Sequence, residues 1–174
     1  MKIGKIIMAV LCVLFISTGA YAYTWDQIDL EDTYGTGDNA ALLVVDFSSA
    51  SDDSFAWRIN FSEDSISATE LLGIVADNDS SFSVTGSSYV TQITYGEYSG
   101  TDGWWMNNVT YDLGETWSSD WGEAEDGEGI GWRSGEDAWS FSAETPTNSV
   151  PIPGAALLLG SGLLSLIGIR KKMR

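Results

Sequence analysis

The 174-residue sequence contains no histidine, and that one absence removes more chemistry than any other feature. Without imidazole there is no Ser-His-Asp triad, no histidine acid–base step near neutral pH and no zinc site of the usual kind. Cysteine is nearly absent too. Cys12 is the single one, inside an N-terminal apolar run whose Val10 and Leu11 do not fit a lipoprotein box. Downstream of that run there is no disulfide, thiolate metal site or cysteine nucleophile. Basic residues are equally scarce where it matters: of eight, only Arg58 and Arg133 fall between Tyr23 and Ser149. All 25 acidic residues fall in that segment, which leaves it at a net −23. A field of that sign repels nucleic acid and anionic membrane surfaces, and favours solubility and cation association. No internal repeat is visible.

What is present argues for a folded domain. Acidic chains tend to disorder, but eight tryptophans, with tyrosines and phenylalanines spaced among them, supply apolar surface to bury. Room exists for one domain once the two ends are set aside. Lys2 and Lys5, the apolar run Ile6 to Ile16, and Ala20-Tyr21-Ala22 have the order of a secretory signal peptide over residues 1–22. Signal peptidase would cleave after Ala22 and leave Tyr23 first.

The last 25 residues, Val150 to Arg174, read VPIPGAALLLGSGLLSLIGIRKKMR. Proline is disfavoured inside a helix, so a helix begins at or just after Pro153. The uncharged run Ala155 to Ile169 is short against the roughly 20 residues that span a bilayer. Snorkelling basic side chains extend its reach, giving a transmembrane segment over about residues 153–169. Arg170, Lys171, Lys172 and Arg174 would stay cytoplasmic and put the rest of the chain across the membrane. A proline motif (Val150, Pro151, Ile152, Pro153, Gly154), an apolar helix and a terminal basic cluster resemble the PEP-CTERM family of sorting signals in its VPxPxA variant. That resemblance implies recognition by an exosortase, a membrane protease of bacteria that have an outer membrane and an exopolysaccharide programme. Ile152 stands where glutamate gives the signal its name, which leaves the exosortase subtype open.

Between the two ends the patterning is mainly β. Ala41 to Phe47 is apolar at nearly every position, as in a strand buried on both faces. Ser54 to Phe61 alternates, with Phe55, Trp57, Ile59 and Phe61 on one face, and predicts a hairpin with the run before it. Ser67-Ala-Thr-Glu70 is a capping box that opens a helix with Leu71, Leu72, Ile74 and Val75 inward, ending at Asp77-Asn78-Asp79. Further strands are expected at Ser81 to Thr85, at Tyr89 to Tyr95 with Tyr89, Ile93 and Tyr95 together, and at Trp104 to Leu113. In the last of these Trp105, Val109, Tyr111 and Leu113 would share a side. Shorter strands are expected at Thr116 to Trp121, Ile130 to Arg133 and Ala138 to Phe141. Tyr23 to Asn39 reads as a polar lead-in closing in a loop, and Gly96 to Gly103 and Gly122 to Gly129 read as loops. Ser142 to Ser149 reads as a linker. The fold class expected is a β-sandwich-like set of antiparallel sheets with one short helix. Its acidic domain spans residues 23–145, ahead of a linker and sorting signal over 146–174. This middle region also resembles a family of exported bacterial proteins, through Tyr34-Gly-Thr-Gly, Ala-Ala-Leu-Leu-Val-Val-Asp-Phe47 and Ser54-Phe-Ala-Trp-Arg58. Ala68-Thr-Glu-Leu-Leu and Trp139-Ser-Phe141 continue the match. The family carries over no active site.

Three constellations could carry chemistry. Paired carboxylates suit glycoside hydrolysis, but no pair is marked by basic or aromatic supports, and no enzymatic activity is expected. Asp77-Asn-Asp79-Ser-Ser81 has the alternating oxygen ligands of a calcium loop without the glycine and distal glutamate of an EF-hand, and Gly122 to Gly129 is a second such stretch. A helix-terminating turn and a solvated loop explain both better, so no cofactor is expected, with calcium at Asp77 and Asp79 as the alternative. The aromatics Trp104, Trp105, Trp117, Trp121 and Trp132 could stack on sugars, or could be core. Arg58 and Arg133 are expected to pair with carboxylates. The function expected is structural or adhesive, at the cell surface or in an exopolysaccharide matrix, after transient anchoring in the inner membrane. The alternative is a carbohydrate or small-ligand module built on the Trp-rich half. Signal peptidase, exosortase, the membrane and exopolysaccharide are the partners expected, and nucleic acid is not.

Overall fold

A computed structural model describes residues 22–47, 53–86, 89–100, 105–134 and 143–148. The expectations on Ala20, Trp104, Ala138 to Phe141 and the tail Val150 to Arg174 lie outside these residues. Among the described residues no helix is long and apolar enough to cross a membrane.

The described residues are mainly β with a single α-helix. Their frame is a five-stranded sheet in the order β1-β3-β2-β10-β8. β1 is Leu30–Gly35, β2 Asn39–Asp46 and β3 Ser54–Phe61, with β8 at Met106–Thr110 and β10 at Gly129–Arg133. The hairpin read from the sequence forms, β2 and β3 running antiparallel with Leu43 opposite Trp57. The sheet as a whole is mixed, however. β1 runs parallel to β3, and β10 parallel to β2. Adjacent alternating runs report hairpins; these parallel partners are distant in sequence and leave no such local sign. β1 falls in the stretch that reads as a polar lead-in, because Leu-Glu-Asp-Thr-Tyr-Gly is an exposed edge with only Leu30 and Tyr34 half-buried. Gly35 ends it at φ +76°, where a Cβ would strike the Asn60 carbonyl.

β2 is buried on both faces because two apolar layers flank the sheet. On one side Ala41, Leu43, Val45, Trp57, Ile59 and Phe61 pack against the helix α1, Ala68–Asn78, and a three-stranded sheet. That small sheet comprises β5 (Phe82–Thr85), β6 (Gln92–Tyr95) and β7 (Tyr98–Gly100), all antiparallel. Trp57 sits at its centre, 5.2 Å from the Phe82 ring and 5.1 Å from Tyr95. On the other side Leu42, Val44 and Ala56 are covered by Ile28, Leu113 and Ala143, with Tyr23, Trp25 and Trp117 around them. Gly131 faces this layer, where a Cβ would lie 2.6 Å from the Trp117 ring, so glycine lets that indole approach the sheet closely.

α1 begins as the capping box dictates. The Glu70 amide donates to Ser67 Oγ at 3.3 Å and the Ser67 amide to Glu70 Oε2 at 3.0 Å. Those bonds, first from the Ser67 side chain and then from its backbone, hold the Glu70 carboxyl below its usual range. Buried Asp46 meets Arg133 Nε at 3.4 Å and accepts from the Glu144 amide at 3.1 Å. Arg58 places its guanidinium 4.8 Å from the Trp25 ring centroid, a cation–π contact.

Several boundaries differ from the sequence reading. Tyr89 is exposed and β6 starts only at Gln92, so Ile93 and Tyr95 go inward without it. The Gly96–Gly103 loop contains β7, joined to β6 by a tight turn at Gly96-Glu97. β8 stops at Thr110, and Leu113 at φ 55° swings to the opposite layer from Trp105 and Val109. The acidic stretch after Gly122 contributes a short strand, β9 (Glu123–Ala124), paired with β4 (Ile66–Ser67). Nor is the segment 143–148 a free linker. Thr147 bridges Ile28, the Asp29 amide donates to the Pro146 carbonyl at 3.0 Å, and the Asn148 amide donates to the Gln27 carbonyl at 2.8 Å.

Candidate functional site

Most of the tryptophans expected to bind ligand are structural. Trp105 is buried, its ring 5.7 Å from Phe47 and its Nε1 donating to the Gly100 carbonyl at 3.0 Å. Trp132 is buried on the same side of the sheet, and Trp117 is half-buried in the second layer. These three are corrections to the binding set: Trp105, the residue before β8, and Trp132 on β10 both turn into the core on the helix side of the sheet, and Gly131 makes room for Trp117 on the other. Trp121 is different. It is 67% exposed, and the tyrosine nearest to it in the groove below, Tyr111, is 59% exposed.

The chain is folded locally to bring these two rings to one place. After β8 the side chains of Thr110 and Asp112 build a tight turn, with the Gly114 amide donating to Thr110 Oγ1 at 2.8 Å and the Thr116 amide to Asp112 Oδ1 at 2.9 Å. Burial works against the Asp112 charge, but hydrogen bonds from the Thr116 side chain and amide outweigh it and keep the carboxyl below its usual range. The reversed chain returns alongside β8 without becoming a regular strand. The Ser118 amide donates to the Val109 carbonyl at 2.9 Å, and the Val109 amide to the Asp120 carbonyl at 3.1 Å. Buried Asn108 adds a side-chain bond to the Ser118 carbonyl at 3.0 Å. The Gly122 amide then donates to Asn107 Oδ1 at 3.1 Å.

The result is an open groove of about 470 Å³ lined by Tyr111, Asp120, Trp121, Glu123, Glu125 and Glu128, with Ser65 at one side. Tyr111 donates its hydroxyl to Asp120 Oδ2 at 2.8 Å, and that acceptor raises the phenol's pKa. Ser65 Oγ donates to Glu123 Oε2 at 2.8 Å. Glu128 accepts from the Glu125 amide at 2.8 Å, while the Leu42 amide donates to the Glu128 carbonyl at 2.9 Å and ties the loop to β2. Ala124, fully buried between Glu123 and Glu125, pins the acidic stretch from beneath. Rings and carboxylates therefore stand on anchored backbone.

Sequence reasoning singled out Trp121 and the Gly122–Gly129 stretch separately, but not Tyr111, Asp120 or their union. The usable sign was a polar turn, Asp112 to Thr116, between two aromatic positions. Asp77 and Asp79 lie away from this groove. Asp77 is exposed in the last turn of α1, and Asp79 follows the helix, its Oδ1 accepting from the Ser81 amide at 2.8 Å. Among the described residues no three Asp, Glu, His or Cys side chains are grouped to hold a metal ion. No family model matches the sequence, and no curated protein or solved structure matches it either.

Proposed function

We propose that this chain is an exported bacterial surface protein, sorted through its C-terminal signal by an exosortase, with a structural or adhesive role at the cell surface or in an exopolysaccharide matrix. The observation that carries this reading is the order of Val150-Pro-Ile-Pro-Gly154, apolar run and Arg170-Lys-Lys172 behind a domain with 25 acidic and two basic residues. In this proposal a signal helix precedes a sandwich-like β-domain and a transmembrane helix follows it. The Ile28–Thr147 bridge puts the start of the domain beside the residues that lead to the proposed tail. Mass spectrometry of the mature protein, from cells with and without an exosortase, tests the proposal. Loss of the segment beyond about Val150 only where the exosortase is present is expected; an intact Arg174 in both leaves a plain membrane anchor.

A second reading is favoured by the groove: Trp121 and Tyr111 offer exposed rings on anchored backbone, the arrangement that binds sugar faces. It makes the domain a carbohydrate-binding module within the same matrix. Calcium enters only as an assisting ion, and a thermal melt unchanged by chelator removes it.

A further inference from the structure

We infer that the Tyr111–Trp121 groove binds a saccharide bearing free, protonated amines, a glucosamine-type polymer rather than a neutral or acidic one. This rests on the carbohydrate reading of the groove and specifies its ligand. Four carboxylates, Asp120, Glu123, Glu125 and Glu128, line the same 470 Å³ as the two rings, and among the described residues no Lys or Arg lines it. The two basic residues between Tyr23 and Ser149, Arg58 and Arg133, are engaged with Trp25 and Asp46. An acidic polysaccharide would be repelled here, and a neutral one would bring no cation to the four charges, whose present hydrogen bonds come from neutral donors.

A sugar with an ammonium group satisfies both halves of the lining. Its C–H face can stack on the exposed Trp121 ring, as apolar faces do on aromatics, while the ammonium gains from the ring's π-face and from the flanking carboxylates. The groove is open rather than enclosed by the described residues, which suits a polymer passing through more than a single small molecule. The anchoring bonds at Ser118, Gly122 and Leu42 lower the ordering cost of binding.

The test is titration of the full-length chain, in mild detergent to accommodate its apolar tail, with short oligomers of glucosamine, N-acetylglucosamine and glucose. At about pH 6 an amine of ordinary basicity is protonated. Glucosamine oligomers are expected to bind at least about tenfold more tightly than the other two, with an affinity that falls as salt is added. Trp121→Ala and the double variant Glu125→Gln/Glu128→Gln should each weaken that binding by about tenfold. Asp77→Asn/Glu97→Gln, which removes the same charge from exposed positions outside the groove, should not. Equal binding of all three oligomers overturns the amine preference and leaves the carbohydrate reading standing. No binding by any of them removes both. Glucosamine binding that ignores Trp121→Ala, or that falls equally in the two double variants, is attraction to the acidic surface at large and overturns the site.

Discussion

Trp57 and Trp121 carry the same side chain into opposite circumstances, and the difference can be measured. Trp57 is fully buried, and Phe82, Tyr95 and Phe55 enclose its indole at 5.2, 5.1 and 6.5 Å between ring centroids. Trp57→Ala removes the centre of that cluster and should cost about 3–5 kcal/mol in urea denaturation. Trp121 has two-thirds of its surface in water, so Trp121→Ala should stay within about 0.5 kcal/mol of the parent. A large loss for Trp121→Ala would make that ring a packing element and remove it from the candidate site. Nothing next to either residue distinguishes them in the sequence beyond Trp57's clean alternation with Phe55, Ile59 and Phe61. Trp121 sits between Asp120 and Gly122, where period-two reasoning has no purchase. Its exposure follows from the Asp112 turn and from the bonds to β8, which are tertiary.

Elements were legible where their determinants are local. The β2–β3 hairpin and α1 were written in contiguous residues, and α1 runs from Ala68 to Asn78 behind its Ser67 cap as the spacing predicts. Ser67→Ala should cost about 1 kcal/mol, read from the urea midpoint. Glu70 adds a pH dependence of definite sign. Its folded pKa is lowered from 4.5, so its contribution is present above that value and is lost as pH falls through the depressed one. The melting-temperature gap between parent and Glu70→Ala should therefore be full at neutral pH and close on acidification, and a gap that widens instead contradicts the capping role. Elements with distant partners were not legible. β1 needs β3, β9 needs β4, and the layer over Gly131 needs residues 113–117 and 143. Gly131→Ala would place a methyl 2.6 Å from the Trp117 ring and 2.8 Å from Ala143 Cβ, and overpacking of this kind costs about 1–3 kcal/mol. Denaturation midpoints check it; an unchanged midpoint would mean that this layer can lift from the sheet at little cost.

At the scale of the whole molecule the dominant quantity is charge. Twenty-five carboxylates and two guanidinium groups share the segment Tyr23 to Ser149, and both guanidinium groups already have partners inside the fold. The remaining acids repel one another across the surface, and that repulsion opposes the compact state more than the expanded one. Screening relieves it: the Debye length shrinks from about 10 Å at 0.1 M salt to about 3 Å at 1 M. Melting temperature at neutral pH should therefore rise with sodium chloride, where a protein held by surface ion pairs would weaken. The rise should diminish at acid pH, because protonation of the carboxylates removes the charge that salt would otherwise screen. Scanning calorimetry across salt at two pH values separates this from a general salting-out effect, which would persist at both. A melting temperature that falls with salt at neutral pH would mean that attractive pairs outweigh the repulsion, and the −23 would then be arranged around cations the fold holds more tightly than Arg58 and Arg133 indicate.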